Sequence, residues 1–189
     1  MASKAGVTDD PTTWKIERRA GSVKTARGID AEEHNNMGVA HHVQGQVDLA
    51  IGEYERALIV NPGFADAHNN LGVAYYALGN AEQAITEFKE ALKINPGLAQ
   101  SHYNLSVAYK AMGSVYLAMA ELQEALNIDP DDAATNFSLG EIYQSQEEFQ
   151  KALEFYERFI KLAPPDDAQY VEVAVGMINQ LRKETALIN

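Results

Sequence analysis

The apolar positions of residues 65–98 fall into two stripes, each with helical spacing. His68, Leu71, Gly72 and Tyr75 recur at i, i+3, i+4 and i+7, which places them on one face of a first helix. Ala84, Ile85, Phe88, Ala91 and Leu92 repeat that spacing and predict a second amphipathic helix. Between them, Gly79-Asn80 supplies residues that accept a left-handed backbone and close the first helix. Asn95-Pro96-Gly97 ends the second, because proline disfavours helical geometry in the residue before it and cannot donate a ladder hydrogen bond. The predicted unit is a helical hairpin.

The unit recurs every 34 residues, most plainly in Pro62, Pro96, Pro130 and Pro164. Met37, Leu71, Leu105 and Leu139 keep the same register, as do Gly38, Gly72, Ser106 and Gly140. In the second helix the columns are Ala50, Ala84, Ala118, Ala152 and Tyr54, Phe88, Leu122, Tyr156. Small residues let two helix axes approach closely, and the large ones fill the gaps around them. A lone hairpin leaves an apolar face in water. Each unit must therefore stack on the next, burying large side chains at roughly 1.5 to 3 kcal/mol apiece.

These columns resemble the tetratricopeptide repeat over residues 31–166, as four units at 31–64, 65–98, 99–132 and 133–166. The resemblance implies an all-α fold, a right-handed α-α superhelix whose first helices line a concave groove that takes a partner segment. Three features depart from the family pattern. The tryptophan common near the start of each repeat is replaced by His34, His68, His102 and Asn136; the turn glycine of Gly45, Gly79 and Gly113 becomes Glu147; and the late alanine of the second helix becomes Phe159. After Pro164-Pro165 the register continues through Tyr170, Val173, Ala174 and Met177, and Ile178 and Leu181 extend the stripe. Residues 167–189 thus read as a capping helix and tail, with Glu172, Asn179, Arg182 and Lys183 on the outer, wet face. Residues 1–30 read as a flexible basic arm containing Trp14, with at most a short helix around Thr12 to Ala20.

Charge sharpens the choice of partner. The formal net charge is -12, but residues 1–28 carry six basic and three acidic side chains, so the arm is +3 and the remainder -15. An acidic body repels nucleic acid phosphates and anionic lipid, whose binding draws on clustered Lys and Arg. Neutral or basic protein segments are the expected partners. No apolar run approaches the roughly 18 to 20 residues that cross a bilayer, which excludes direct membrane insertion. Arg18-Arg19 is followed by Ala20-Gly21-Ser22-Val23-Lys24-Thr25 where an export signal needs an apolar segment, so a cytoplasmic location is expected. The absence of cysteine removes disulfides, thiolate metal sites and cysteine nucleophiles together.

The resemblance assigns groove-facing positions to Asn35, Asn36, Val39 and His42; Asn69, Asn70, Val73 and Tyr76; Tyr103, Asn104, Val107 and Lys110; and Phe137, Ser138, Glu141 and Gln144. Asn36, Asn70 and Asn104 form a column whose carboxamides both donate and accept, matching an extended peptide backbone, while Tyr76, Tyr103 and Phe137 are expected to meet its side chains. The competing reading is that these asparagines bond to neighbouring helices. The basic residues by which chaperone-binding members clamp a C-terminal carboxylate are replaced here by Asn35, Val39, Gln100 and Asn104, so Hsp70- or Hsp90-type tails are poor candidates.

His34, His68 and His102 lie in successive hairpins, about 10 Å or more apart, too far for one metal whose ligands stand about 2.0 to 2.1 Å away. They are expected to be packed, each with a satisfied ring nitrogen. No phosphate-binding glycine loop occurs, and the carboxylates are scattered. No cofactor, metal or catalysis is therefore expected. The sequence reads as a non-catalytic scaffold or adaptor that holds an extended partner segment in its groove. The alternative is a self-assembling structural subunit, or an assembly factor of a larger complex, using the edges and the arm. In that reading the arm forms a homo-oligomer by lying in a neighbour's acidic groove with Trp14 as anchor; otherwise it is a loose tail.

Overall fold

The structure is a computed structural model and describes residues 17–19, 22–24 and 30–188. Its body is all-helical. Four antiparallel hairpins pair α1 (Ala31–Val43) with α2 (Val47–Val60), α3 (Ala65–Ala77) with α4 (Ala81–Ile94), α5 (Ala99–Ala111) with α6 (Val115–Ile128), and α7 (Ala133–Ser145) with α8 (Phe149–Leu162). A 3-10 turn at Pro165–Asp167 leads into α9 (Ala168–Ile188), which packs on α8. Each hairpin meets the next through its second helix, and the first helices α1, α3 and α5 also touch in series, the stacking of a helical solenoid.

Of residues 12–20, where at most a short helix is expected, only 17–19 are described, and they are extended. Glu17–Arg19 (β1) and Ser22–Lys24 (β2) pair antiparallel, with Arg19 opposite Ser22, which leaves residues 20 and 21 between them. Trp14 lies outside the described residues.

The turns follow from local chemistry. Gly45, Gly79 and Gly113 adopt φ of 74°, 81° and 73°, and Glu147 takes the same left-handed geometry at φ 60° in the fourth hairpin. Asn80, expected to share that conformation, instead sits at the N-cap of α4 with φ -89°. Asp30 starts α1 with a capping box, accepting from Glu33 N at 2.9 Å while Glu33 Oε2 accepts from Asp30 N at 3.2 Å.

Within each hairpin the small and large columns meet. A Cβ added at Gly38, Gly72 or Gly140 would lie 2.4, 2.6 or 2.7 Å from a ring carbon of Tyr54, Phe88 or Tyr156. In the third hairpin the facing residue is Leu122, and Ser106 fits. The histidine column forms a second set of ties. His34, His68 and His102 place Nδ1 2.7 Å from Glu53, Glu87 and Glu121 of the paired helix, and Nε2 of His68 and His102 faces the carbonyls of Pro62 and Pro96. In the fourth hairpin both partners change together: Asn136 replaces the histidine, and Phe155 replaces the glutamate and stacks on Tyr143 at 5.4 Å.

Tyr156 is buried and donates to Gln144 Oε1 at 2.8 Å. Burial, with a smaller push from the Glu141 carboxylate, raises its hydroxyl above the ordinary value of 10.0. The folded chain thus keeps the phenol proton at a pH where the unfolded chain releases it. This contribution is fully present below about pH 10 and is lost as pH rises beyond that. Urea midpoints measured between pH 8 and pH 11 are expected to fall less steeply for Tyr156→Phe than for the wild type; parallel curves would remove Tyr156 from the alkaline transition.

Candidate functional site

The first helices decide where the concave face opens. Asn70 Nδ2 donates to Asn35 Oδ1 at 2.9 Å, and one hairpin later Asn104 Nδ2 donates to Asn69 Oδ1 at 3.0 Å. Ser101 Oγ donates to the same Asn69 oxygen at 2.9 Å, and Asn104 Oδ1 accepts from Gln100 Nε2 at 3.1 Å. Asn70 and Asn104 are therefore rungs between successive first helices, each with one amide proton committed and one remaining. Asn36 is exposed, with no such rung among the described residues.

The rung is missing at the third junction, where the two positions are Tyr103 and Ser138. There α6 packs less closely against α7 than α2 does against α3 or α4 against α5. The preceding turn changes as well: half-buried Phe64 and Leu98 cap α3 and α5, whereas Asp132 caps α7 and accepts from Thr135 N at 2.7 Å. An apolar plug has become a carboxylate.

Two recesses open between α5 and α7. The larger, ≈ 460 Å³, brings together Tyr76, Tyr103, Val107, Lys110 and Glu141 of the predicted positions, over a floor that includes Leu122 and Ile142. Lys110 Nζ and Glu141 Oε2 pair across it at 2.7 Å, so neither is a free charge awaiting a ligand. The smaller recess, ≈ 280 Å³, lies at the N-terminal ends of the same two helices and is lined by Gln100, Tyr103, Asp129, Asp132 and Thr135, with the methyl groups of Ala99 and Ala134. Tyr103 is a wall of both.

Ser138 also lines the larger recess; the other predicted positions line neither. Asn35, Asn36, Val39 and His42 lie on α1; Asn69, Asn70 and Asn104 serve the rungs or stand beside them; half-buried Val73 packs against the central core. Phe137 requires a correction. Its ring contacts Phe159 at 5.0 Å, Tyr156 at 5.7 Å and Tyr170 of α9 at 6.4 Å, and so belongs to the cap packing.

Sequence reasoning missed Asp129, Asp132 and Thr135 as site residues. The signal was present: Asn61-Pro62-Gly63-Phe64 and Asn95-Pro96-Gly97-Leu98 become Asp129-Pro130-Asp131-Asp132. Among the described residues no group of three or more His, Asp or Glu side chains is placed to hold a metal ion, and no helix is long and apolar enough to cross a membrane.

Comparison with known proteins agrees with this architecture. A tetratricopeptide repeat model matches residues 35–99, and a model of YpiA-like tetratricopeptide repeats matches residues 112–162. Among solved structures, a crystal structure of MamA protein is 25% identical with a TM-score of 0.65, covering 81% of this chain and 86% of that one. A second MamA crystal structure is 24% identical, TM-score 0.62, covering 79% and 94%. The first TPR of Spaghetti (RPAP3), bound to the HSP90 peptide SRMEEVD, is 20% identical with a TM-score of 0.60, covering 62% and 93%. No curated protein matches the sequence. With four stacked helical hairpins, and repeat models matching across most of them, the chain belongs to the tetratricopeptide repeat family.

Proposed function

We propose that this protein is a non-catalytic scaffold that holds an extended segment of a partner protein against α3, α5 and α7. The observation that carries the reading is the pair of adjoining recesses between α5 and α7, which together present tyrosine faces, an aliphatic floor and a carboxylate-lined end. A cleft of that make-up binds by burying apolar side chains and orienting a few polar ones. Tetratricopeptide folds are typically non-catalytic, and the charged groups of the recesses are engaged structurally, Lys110 with Glu141 and the two aspartates with backbone amides of the turn. The acidic smaller recess disfavours a ligand ending in acidic residues, such as the peptide seen on Spaghetti, and favours a neutral or basic segment.

A specific observation keeps the assembly reading in play. α9 occupies the place of a fifth first helix, and among the described residues no second helix packs beside it; Tyr170, Val173 and Val175 stand 50%, 48% and 42% exposed. Its buried stripe runs through Ala174, Ile178 and Leu181. The stripe expected from the repeat register is thus only partly inside, because Tyr170 and Val173 correspond to positions that earlier hairpins cover with their own second helix.

Photo-crosslinking separates the two readings. A benzophenone amino acid placed at Tyr76, at the rim of the larger recess, is expected to capture a partner protein from cells, while the same group at Tyr116, 80% exposed on α6, captures little. Capture through position 116 alone would sink the groove reading. Capture of a second copy of this chain through position 173 would establish the assembly reading.

A further inference from the structure

The smaller recess is lined by two carboxylates that no cationic side chain among the described residues meets. Asp129 and Asp132 each have one oxygen engaged by a backbone amide of the turn, Asp129 Oδ1 by Asp131 N at 3.2 Å and Asp132 Oδ2 by Thr135 N at 2.7 Å. The other oxygen of each carboxylate has no cationic partner among the described residues. Arg158, the guanidinium at this turn, donates to the Pro130 carbonyl at 3.1 Å and pairs with neither. The independent sign is Thr135. This residue lines the recess at 1% exposure, and its Oγ1 is buried without a hydrogen-bond partner. A buried hydroxyl left unpaired costs free energy unless something arrives to bond it.

We propose that this recess takes the ammonium group of a lysine side chain carried by the partner segment. The inference rests on the groove reading, since Tyr103 joins this recess to the larger one. The free oxygen of each aspartate offers an acceptor to the N–H donors of an ammonium, with the Thr135 side chain on the recess wall. A guanidinium fits less well, because its planar fork is best met by a carboxylate with both oxygens open, and here each has one oxygen already engaged. The Tyr103 ring and the methyl groups of Ala99 and Ala134 line the path of the alkyl stem, which long basic side chains lay along apolar surface while the charge reaches a polar end. Two carboxylates without a third ligating side chain make a poor divalent-metal site.

The test uses the full chain, isotope-labelled, in amide shift titrations with N-acetyl-lysine methylamide and its neutral isostere N-acetyl-norleucine methylamide. The lysine probe is expected to shift the amides of Gln100, Tyr103 and Thr135 saturably, and the norleucine probe to leave them in place. Asp129→Asn/Asp132→Asn removes both charges while asparagine keeps the capping role at 132, and is expected to weaken the lysine probe about tenfold. Raised salt is expected to weaken it in the wild type alone. Equal shifts from both probes, unchanged binding by the double variant, or tighter binding of the arginine counterpart would each overturn the assignment. A lysine probe that shifts Tyr76 and Val107 but leaves Thr135 unmoved would overturn this site and spare the groove. Crosslinking at position 76 decides the groove separately.

Discussion

Gly72→Ser is expected to destabilise the protein by about 1–3 kcal/mol, and Phe88→Leu in the same chain to recover most of that loss. The first half follows from space. A Cβ at position 72 meets Phe88 Cε1 at 2.6 Å and Cδ1 at 2.7 Å, and Phe88 is buried with no free end to swing aside. Overpacking of this kind outweighs the roughly 0.5–1 kcal/mol that a helical glycine gives up to other residues. The second half is already present in the third hairpin, where Ser106 faces Leu122 in the same two columns. Phe88→Leu alone should leave a cavity and cost stability, so the two substitutions are each harmful and together nearly neutral. Urea unfolding of the four chains gives the coupling energy. Additive losses would mean that the ring relaxes and that the glycine serves another purpose.

That coupling illustrates what the sequence makes legible. The period of 34, the capping helix and the helical hairpins all come from columns of small and large residues, because core packing imposes a residue type at a fixed place. The histidine ties were legible in part. The spacing argues against His34, His68 and His102 as joint ligands of one metal, but their glutamate partners, 19 residues on, appear only once the two helices are paired. The groove was the least legible feature. Asparagines at 35, 69, 70 and 104 look alike along the chain whether they meet a ligand or each other, and the choice depends on whether the neighbouring helix brings a carboxamide within hydrogen-bond reach. The recesses arise where a repeating feature stops, at Tyr103, Ser138 and Asp132. A reading that looks for what recurs passes over such places.

Leu181→Ala is expected to cost about 2–5 kcal/mol, the range for emptying a fully buried leucine site, and the damage should stay at one end of the molecule. Leu181 is buried with Ile178 and Ala174 against Leu153, Tyr156 and Phe159, and this cluster is distinct from the central one around Phe88, Leu105 and Leu122. In a stacked array each hairpin draws stability from its neighbours, so a weakened cap loosens the fourth hairpin first. Hydrogen exchange should accelerate in α8 and α9 while α3 and α4 keep their protection; uniform acceleration would show that the array unfolds as one unit. The substitution also bears on function, because Thr135, Glu141 and Ile142, on the α7 side of both recesses, belong to the hairpin that α9 holds in place. A chain with every recess residue intact is then expected to bind its partner more weakly, since the ligand must first restore the order of α7.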